Sequence, residues 1–149
     1  MPDLLPPIRS SYERYFYLRK YPMQESSDWK VAHLAYQLDI VRQAVYSRSQ
    51  GYCEKCGKQL PESWALHHRK LKSRGGKDEV ANLVALHHSC HNFGTDSVHL
   101  NPTQASDKGL MVPSWQAPQE CPLTLPDGSI VTLTDDGEYH YLERKSDGW

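Results

Sequence analysis

Three features of the sequence predict an α+β fold. Metal-ligand residues stand in two pairs at equal spacing, Cys53-x-x-Cys56 and His87-x-x-Cys90. Two short apolar runs lie between the pairs, one from Trp64 through Leu66-His67-His68 and one over Asn82-Leu83-Val84-Ala85-Leu86, and the turn residues Gly75-Gly76 separate them. Ahead of both, apolar residues recur at three- and four-residue intervals. Strand, loop, strand and short helix in that order make a ββα unit, and the paired ligands close it around a structural zinc. Helices are expected before this unit and a small antiparallel β-meander after it.

At 149 residues the chain is long enough for one modest core. We expect one compact unit with three parts: an N-terminal arm and helices over 1–50, the zinc-braced core over 51–100, and a short helix with an acidic hairpin tail over 101–149. Hydrophobic residues make up 38% of the chain and the mean hydropathy is -0.70, so apolar burial alone gives limited support. A structural metal would supply the difference. The opening residues, MPDLLPPIRS, lack the cationic start and unbroken apolar run of a signal peptide, and no apolar stretch approaches membrane-spanning length. The expectation is a soluble, cytoplasmic protein without a membrane partner, in which Cys-x-x-Cys and His-x-x-Cys serve metal rather than disulfides.

A net charge of -1 conceals a gradient along the chain. Residues 1–49 hold seven Lys/Arg against five Asp/Glu, residues 50–92 seven against four, and residues 93–149 three against nine. A polyanion would therefore meet the first two thirds.

In order, the Pro-rich residues 1–10 read as an irregular arm. The following SYERYFYLRKY mixes aromatics with cations; Tyr12, Tyr15 and Phe16 sit at helical spacing and are expected under the core, with nucleic-acid contact as the second reading. Ser27 or Asp28 caps a helix reaching to about Ser49, whose stripe is Val31, Leu34, Leu38, Val41 and Val45. His33 has no ligand partner one turn away and reads as structural. Gly51 stops the helix.

Tyr52 to Gly57 has the composition of a zinc knuckle, with two thiolates three apart on a tight turn. Tetrahedral closure needs two more ligands, so the zinc set is Cys53, Cys56, His87 and Cys90, with His88 competing for the third position. Cys121, alone beside Pro122, reads as a small buried or idle thiol. Thirty residues separate Cys56 from His87, more than a compact zinc ribbon needs, and they hold the two strands.

The Cys53/Cys56 knuckle, the double histidine His67-His68, the Gly75-Gly76 loop, Asn82-Leu83-Val84 and the closing Cys90-His91 together resemble the HNH endonucleases, a family with a ββα-metal fold. The likeness covers roughly residues 41–100. It implies that His68 is the general base drawing a proton from water, that His67 and His91 bind a divalent cation (Mg2+, Mn2+ or another transition metal), and that Asn82 ties the loop and orients His68. Adjacent side chains on a strand point to opposite faces, which suits such a division between His67 and His68. Two departures stand out. The third zinc position, often Cys in the family, is His87 here. Many members also carry another metal-binding His one turn beyond the position of His91, where this chain has Thr95. His99 is offered for that duty across a loop, against an ordinary surface histidine.

Arg69, Lys70, Lys72, Arg74 and Lys77 crowd the loop beside this site and are read as holding the DNA backbone, without reading bases. Beyond the motif, Asn101-Pro102 starts a helix that Gly109 ends, and turns at Asp127-Gly128 and Asp136-Gly137 divide an antiparallel meander. Its acidic character argues for folding, partner docking or shielding rather than DNA contact. The general outline is similar to phage-encoded members that act beside packaging proteins, which adds those proteins as possible partners. The rival reading is a non-catalytic zinc module that holds nucleic acid or protein; it has no need of His67, His68 and His91 together.

Overall fold

The computed structural model describes residues 29–145, with side chains from Gln37 onward. The expected arm, the aromatic-basic segment and the cap at Ser27 or Asp28 lie outside these residues, as do the side chains of Val31, His33 and Leu34. By internal contacts the chain forms two compact units, Met1–Val41 and Arg42–Trp149. The second contains every element beyond the first part of helix α1, Trp29–Arg48.

The stripe on α1 is only partly as expected: Val45 is fully buried, whereas Leu38 is 43% exposed. The helix ends through two successive left-handed residues, Gln50 and Gly51, and the Gly51 amide bonds the Tyr46 carbonyl. This turn delivers the chain to the Cys53–Gly57 knuckle.

Strands β1, Ala65–His68, and β2, Leu83–Leu86, pair antiparallel with His67 opposite Val84 and His68 opposite Leu83. All four β2 residues are buried, so this strand reads as a continuous apolar run. Asn82 belongs to a 3-10 turn, Val80–Asn82, rather than to the strand. Its side-chain carboxamide reaches the loop between the strands instead.

The outer edge of β2 is covered by other parts of the chain, which limits the hazard of unpaired strand groups. On the β2 side, the Glu54 amide donates to the Ala85 carbonyl and the Ala85 amide to Glu54 Oε1. Arg48, at the end of α1, meets the same carboxylate through Nε and Nη2 and donates to the carbonyls of Val80 and Leu83. Tyr139 closes the network with its hydroxyl on Glu54 Oε2 at 2.7 Å, and burial beside that carboxylate pushes the phenol's pKa up. On the β1 side, the Val112 amide donates to the Arg69 carbonyl.

Arg69 corrects an expectation. Instead of facing phosphate with the loop cations, it is fully buried, and its guanidinium donates to the carbonyls of Gly109, Ala81, Pro118 and Cys121. Burial lowers its pKa to about 10, which still leaves it charged at neutral pH. One charged fork thus gathers the loop before β2 and two segments of the C-terminal third. Arg69→Ala strands several buried acceptors, and we expect it to cost about 3–5 kcal/mol. Urea denaturation at constant zinc content measures this; an unchanged midpoint, with DNA affinity lowered instead, would return Arg69 to the phosphate-binding surface.

After β2 comes a π-helical turn, Ser89–Phe93, then the short helix α2, Pro102–Asp107. Asn101 does not cap α2 through its side chain, which turns back to the carbonyls of Thr95 and Ser97 and holds the preceding turn. The three-stranded sheet follows in the order β3 (Leu123–Thr124), β4 (Ile130–Leu133) and β5 (Tyr139–Glu143), all antiparallel. Leu123, Val131 and Leu133 point into the core. Among the described residues, no helix is long and apolar enough to cross a membrane.

Candidate metal centres and the histidine site

Two groups of metal-ligand side chains converge among the described residues. The first is Cys53, Cys56, His87 and Cys90, whose ligand atoms all lie within 4.8 Å of one another. Its members come from the knuckle after α1 and from the segment where β2 passes into the π-helical turn. All four cysteines of the chain are free thiols. His87 Nδ1 lies 3.3 Å from Cys56 Sγ, while its Nε2 lies 2.9 Å from the Gln59 carbonyl. A carbonyl only accepts, so Nε2 carries the proton and Nδ1 turns its lone pair into the thiol cluster. His88, the competitor for this position, pairs instead with the exposed Ser63 hydroxyl at 3.0 Å.

The donor set itself argues for a cation. Burial, and then the charges of Cys53 and Cys56, push the Cys90 thiol up to about 12, because clustered thiolates repel one another in a partly dry site. A divalent ion reverses that balance, and three thiolates with one imidazole suit zinc. Cys121 stands apart, buried, with its thiol turned toward the Pro122 carbonyl.

The second group is His67, His91 and His99, again within 4.8 Å. Alternation along β1 buries His67 to 1% exposure and leaves His68 partly exposed. His67 Nε2 meets the Leu110 carbonyl at 2.8 Å, which fixes its proton there and frees Nδ1 as a ligand atom. Burial, more than its neighbours' charges, lowers the His67 pKa to about 3, so it is a neutral imidazole at physiological pH. His91 is also lowered, first by burial and then by His99.

His99 arrives by a fold-back that local sequence does not announce. The Val98 amide donates to the Cys90 carbonyl and the His99 amide to the His91 carbonyl, laying the turn after Gly94 against the π-helical turn. As a result His91 Nε2 and His99 Nε2 are 3.0 Å apart. Because Cys90 and His91 are consecutive, one turn supplies a ligand atom to each cluster. Three imidazoles can offer lone pairs without carboxylate charge, a set that suits a divalent transition metal completed by oxygen ligands such as water.

His68 lies close enough to His67 and His91 for its charge to lower both. Its Nε2 is 2.7 Å from Asp78 Oδ1, a partner that sequence reading missed. The signal was faint: Asp78, one of two carboxylates ending a run of loop cations. Asn82 is fully buried and fastens that loop three ways. Its Oδ1 accepts from the Lys70 amide at 2.7 Å, and its Nδ2 donates to the carbonyls of Lys70 and Lys77, both at 3.0 Å. Gly76 lets the loop close, because a Cβ there would collide with the Lys70 carbonyl. Lys72, Arg74 and Lys77 are exposed and Lys70 half-buried, so four loop cations remain at the surface after Arg69 is withdrawn.

Among known proteins, the HNH endonuclease family matches residues 53–96. That span covers the first cluster, both strands, Asp78, Asn82 and His91, and ends before His99. No curated protein and no solved structure matches the chain.

Proposed function

We propose, on the match of residues 53–96 to the HNH endonuclease family, that the chain is a metal-dependent endonuclease hydrolysing DNA phosphodiester bonds. In this reading β1, β2 and the π-helical turn form the ββα unit, with structural zinc on Cys53, Cys56, His87 and Cys90. His67, His91 and His99 hold the second cation. The observation that carries the proposal is the convergence of these three imidazoles beside a fourth, His68, that faces solvent. A module that only binds zinc has no use for them.

His68 acts as general base. It takes a proton from water as the water oxygen bonds to phosphorus, the bond from phosphorus to the 3′ oxygen breaks, and the departing 3′ oxygen takes a proton from solvent, leaving 5′-phosphate and 3′-hydroxyl ends. When bound, the cation neutralises phosphate charge and stabilises the departing 3′ oxygen. Leu110, whose carbonyl accepts a hydrogen bond from His67 Nε2–H, keeps that imidazole in the one tautomer able to serve. Asn82 holds the loop, and Lys70, Lys72, Arg74 and Lys77 receive the DNA backbone as sequence-independent positive charge.

Supercoiled plasmid incubated with the zinc-loaded protein tests the proposal. With Mg2+ or Mn2+ we expect nicked or linear DNA bearing 5′-phosphate ends, and intact plasmid once the added cation is chelated. No cleavage by a folded, fully zinc-loaded protein across several divalent cations would leave the non-catalytic zinc module standing.

A further inference from the structure

We propose that Asp78 is a positioning residue for this reaction: its carboxylate accepts a hydrogen bond from the Nε2–H of His68 and so leaves the Nδ1 lone pair free to take a proton from water. The inference rests on the nuclease reading of the site and deepens it.

The chemistry follows from the atoms in contact. Asp78 Oδ1 and His68 Nε2 are 2.7 Å apart. An ionised carboxylate can only accept, so a neutral His68 must carry its proton on Nε2. The carboxyl is held below its ordinary range, first by the hydrogen bond from His68 and further by Lys72, whose ammonium lies 3.5 Å from the same oxygen. Without this partner the imidazole would exchange tautomers and swing about its side-chain bonds. With it, one nitrogen is assigned to donation and the other to catalysis. Once Nδ1 has gained the proton, the carboxylate also stabilises the resulting imidazolium, as in other base-orienter pairs.

The backbone around Asp78 is pinned on both sides. Lys77 offers its carbonyl to Asn82 Nδ2, and Glu79 offers its carbonyl to the Asn82 amide. Asn82 is itself fully buried and bonded to Lys70 at the other end of the loop. This supplies a route by which Asn82 orients the base: it fastens the short segment bearing Asp78, and Asp78 holds His68. No bond between Asn82 and His68 is required.

The test compares wild type, Asp78→Ala and Asp78→Asn as zinc-loaded full-length chains. Steady-state plasmid cleavage should show kcat reduced about 10- to 100-fold in Asp78→Ala, the range typical of lost orienting partners. KM should stay the same or fall, because a negative charge leaves a phosphate-facing loop. Asp78→Asn keeps an acceptor oxygen and should recover part of the rate. Long-range 1H–15N correlation of the imidazoles in Mg2+ buffer should show His68 protonated at Nε2 in wild type and Asp78→Asn, and mixed in Asp78→Ala. Titration with Mn2+ should give one affinity for all three proteins, which separates positioning from damage to the cation site. Full kcat in Asp78→Ala, or an Nδ1-protonated His68 in wild type, would overturn the proposal while leaving the nuclease reading in place. A wild type that cleaves nothing removes the nuclease reading, and this role with it.

Discussion

Stripping zinc from the protein is expected to abolish its cooperative thermal transition. The four ligands join the knuckle to the start of the turn after β2, segments more than thirty residues apart in sequence. Structural zinc in small sites contributes on the order of 10 kcal/mol, comparable with the whole stability of an ordinary domain. The loss would spread beyond the ligands. Glu54 lies inside the knuckle and holds Arg48, Ala85 and Tyr139, so loosening the knuckle frees the edge of β2 and the contact with β5. His91 would lose its place at the second cluster, because its neighbour Cys90 belongs to the first. Acid should favour release, since each thiol must shed a proton to bind metal and Cys90 holds its proton up to about 12 without one. Circular dichroism melts with and without chelator, alongside Cys90→Ser, measure the effect. An identical melt after verified removal of zinc would show that the apolar core stands without it.

His68→Ala should reduce plasmid cleavage by about a hundred- to ten-thousand-fold, the contribution of a positioned general base. Stability and zinc content should not change, because His68 is partly exposed and its hydrogen bond goes to the exposed carboxylate of Asp78 rather than into the core. Here the contrast with His67 is informative. His67 is buried and bonded to Leu110, so replacing it would disturb packing as well as the cation site. A His68→Ala protein that cleaves at the wild-type rate, at equal zinc content, would remove this residue from the chemistry.

Much of the fold was legible because it rests on local rules. Apolar runs of strand length, the alternation that sends His67 and His68 to opposite faces, and the Gly turns in the loop and the tail all follow from backbone geometry over a few residues. Arg69 was misread for the opposite reason. It adjoins four solvent-facing cations in sequence, and only the return of residues 109–121 over β1 turns it into a buried cross-link. Glu54 and Tyr139, eighty-five residues apart, give no sequence sign of sharing a hydrogen bond. Asp78 looked like one more loop charge until the loop closed upon His68.

By itself, the order of residues determined which atoms could bind metal, at what spacing they stand, and which way consecutive strand side chains point. Tertiary structure alone decided that His99 joins His67 and His91, that Arg69 leaves the surface, and that a loop carboxylate meets His68. The reason is physical: pleat and turn preferences act over two to five residues, whereas burial and convergence depend on where distant segments come to rest. A charged side chain's environment belongs to that second kind of fact.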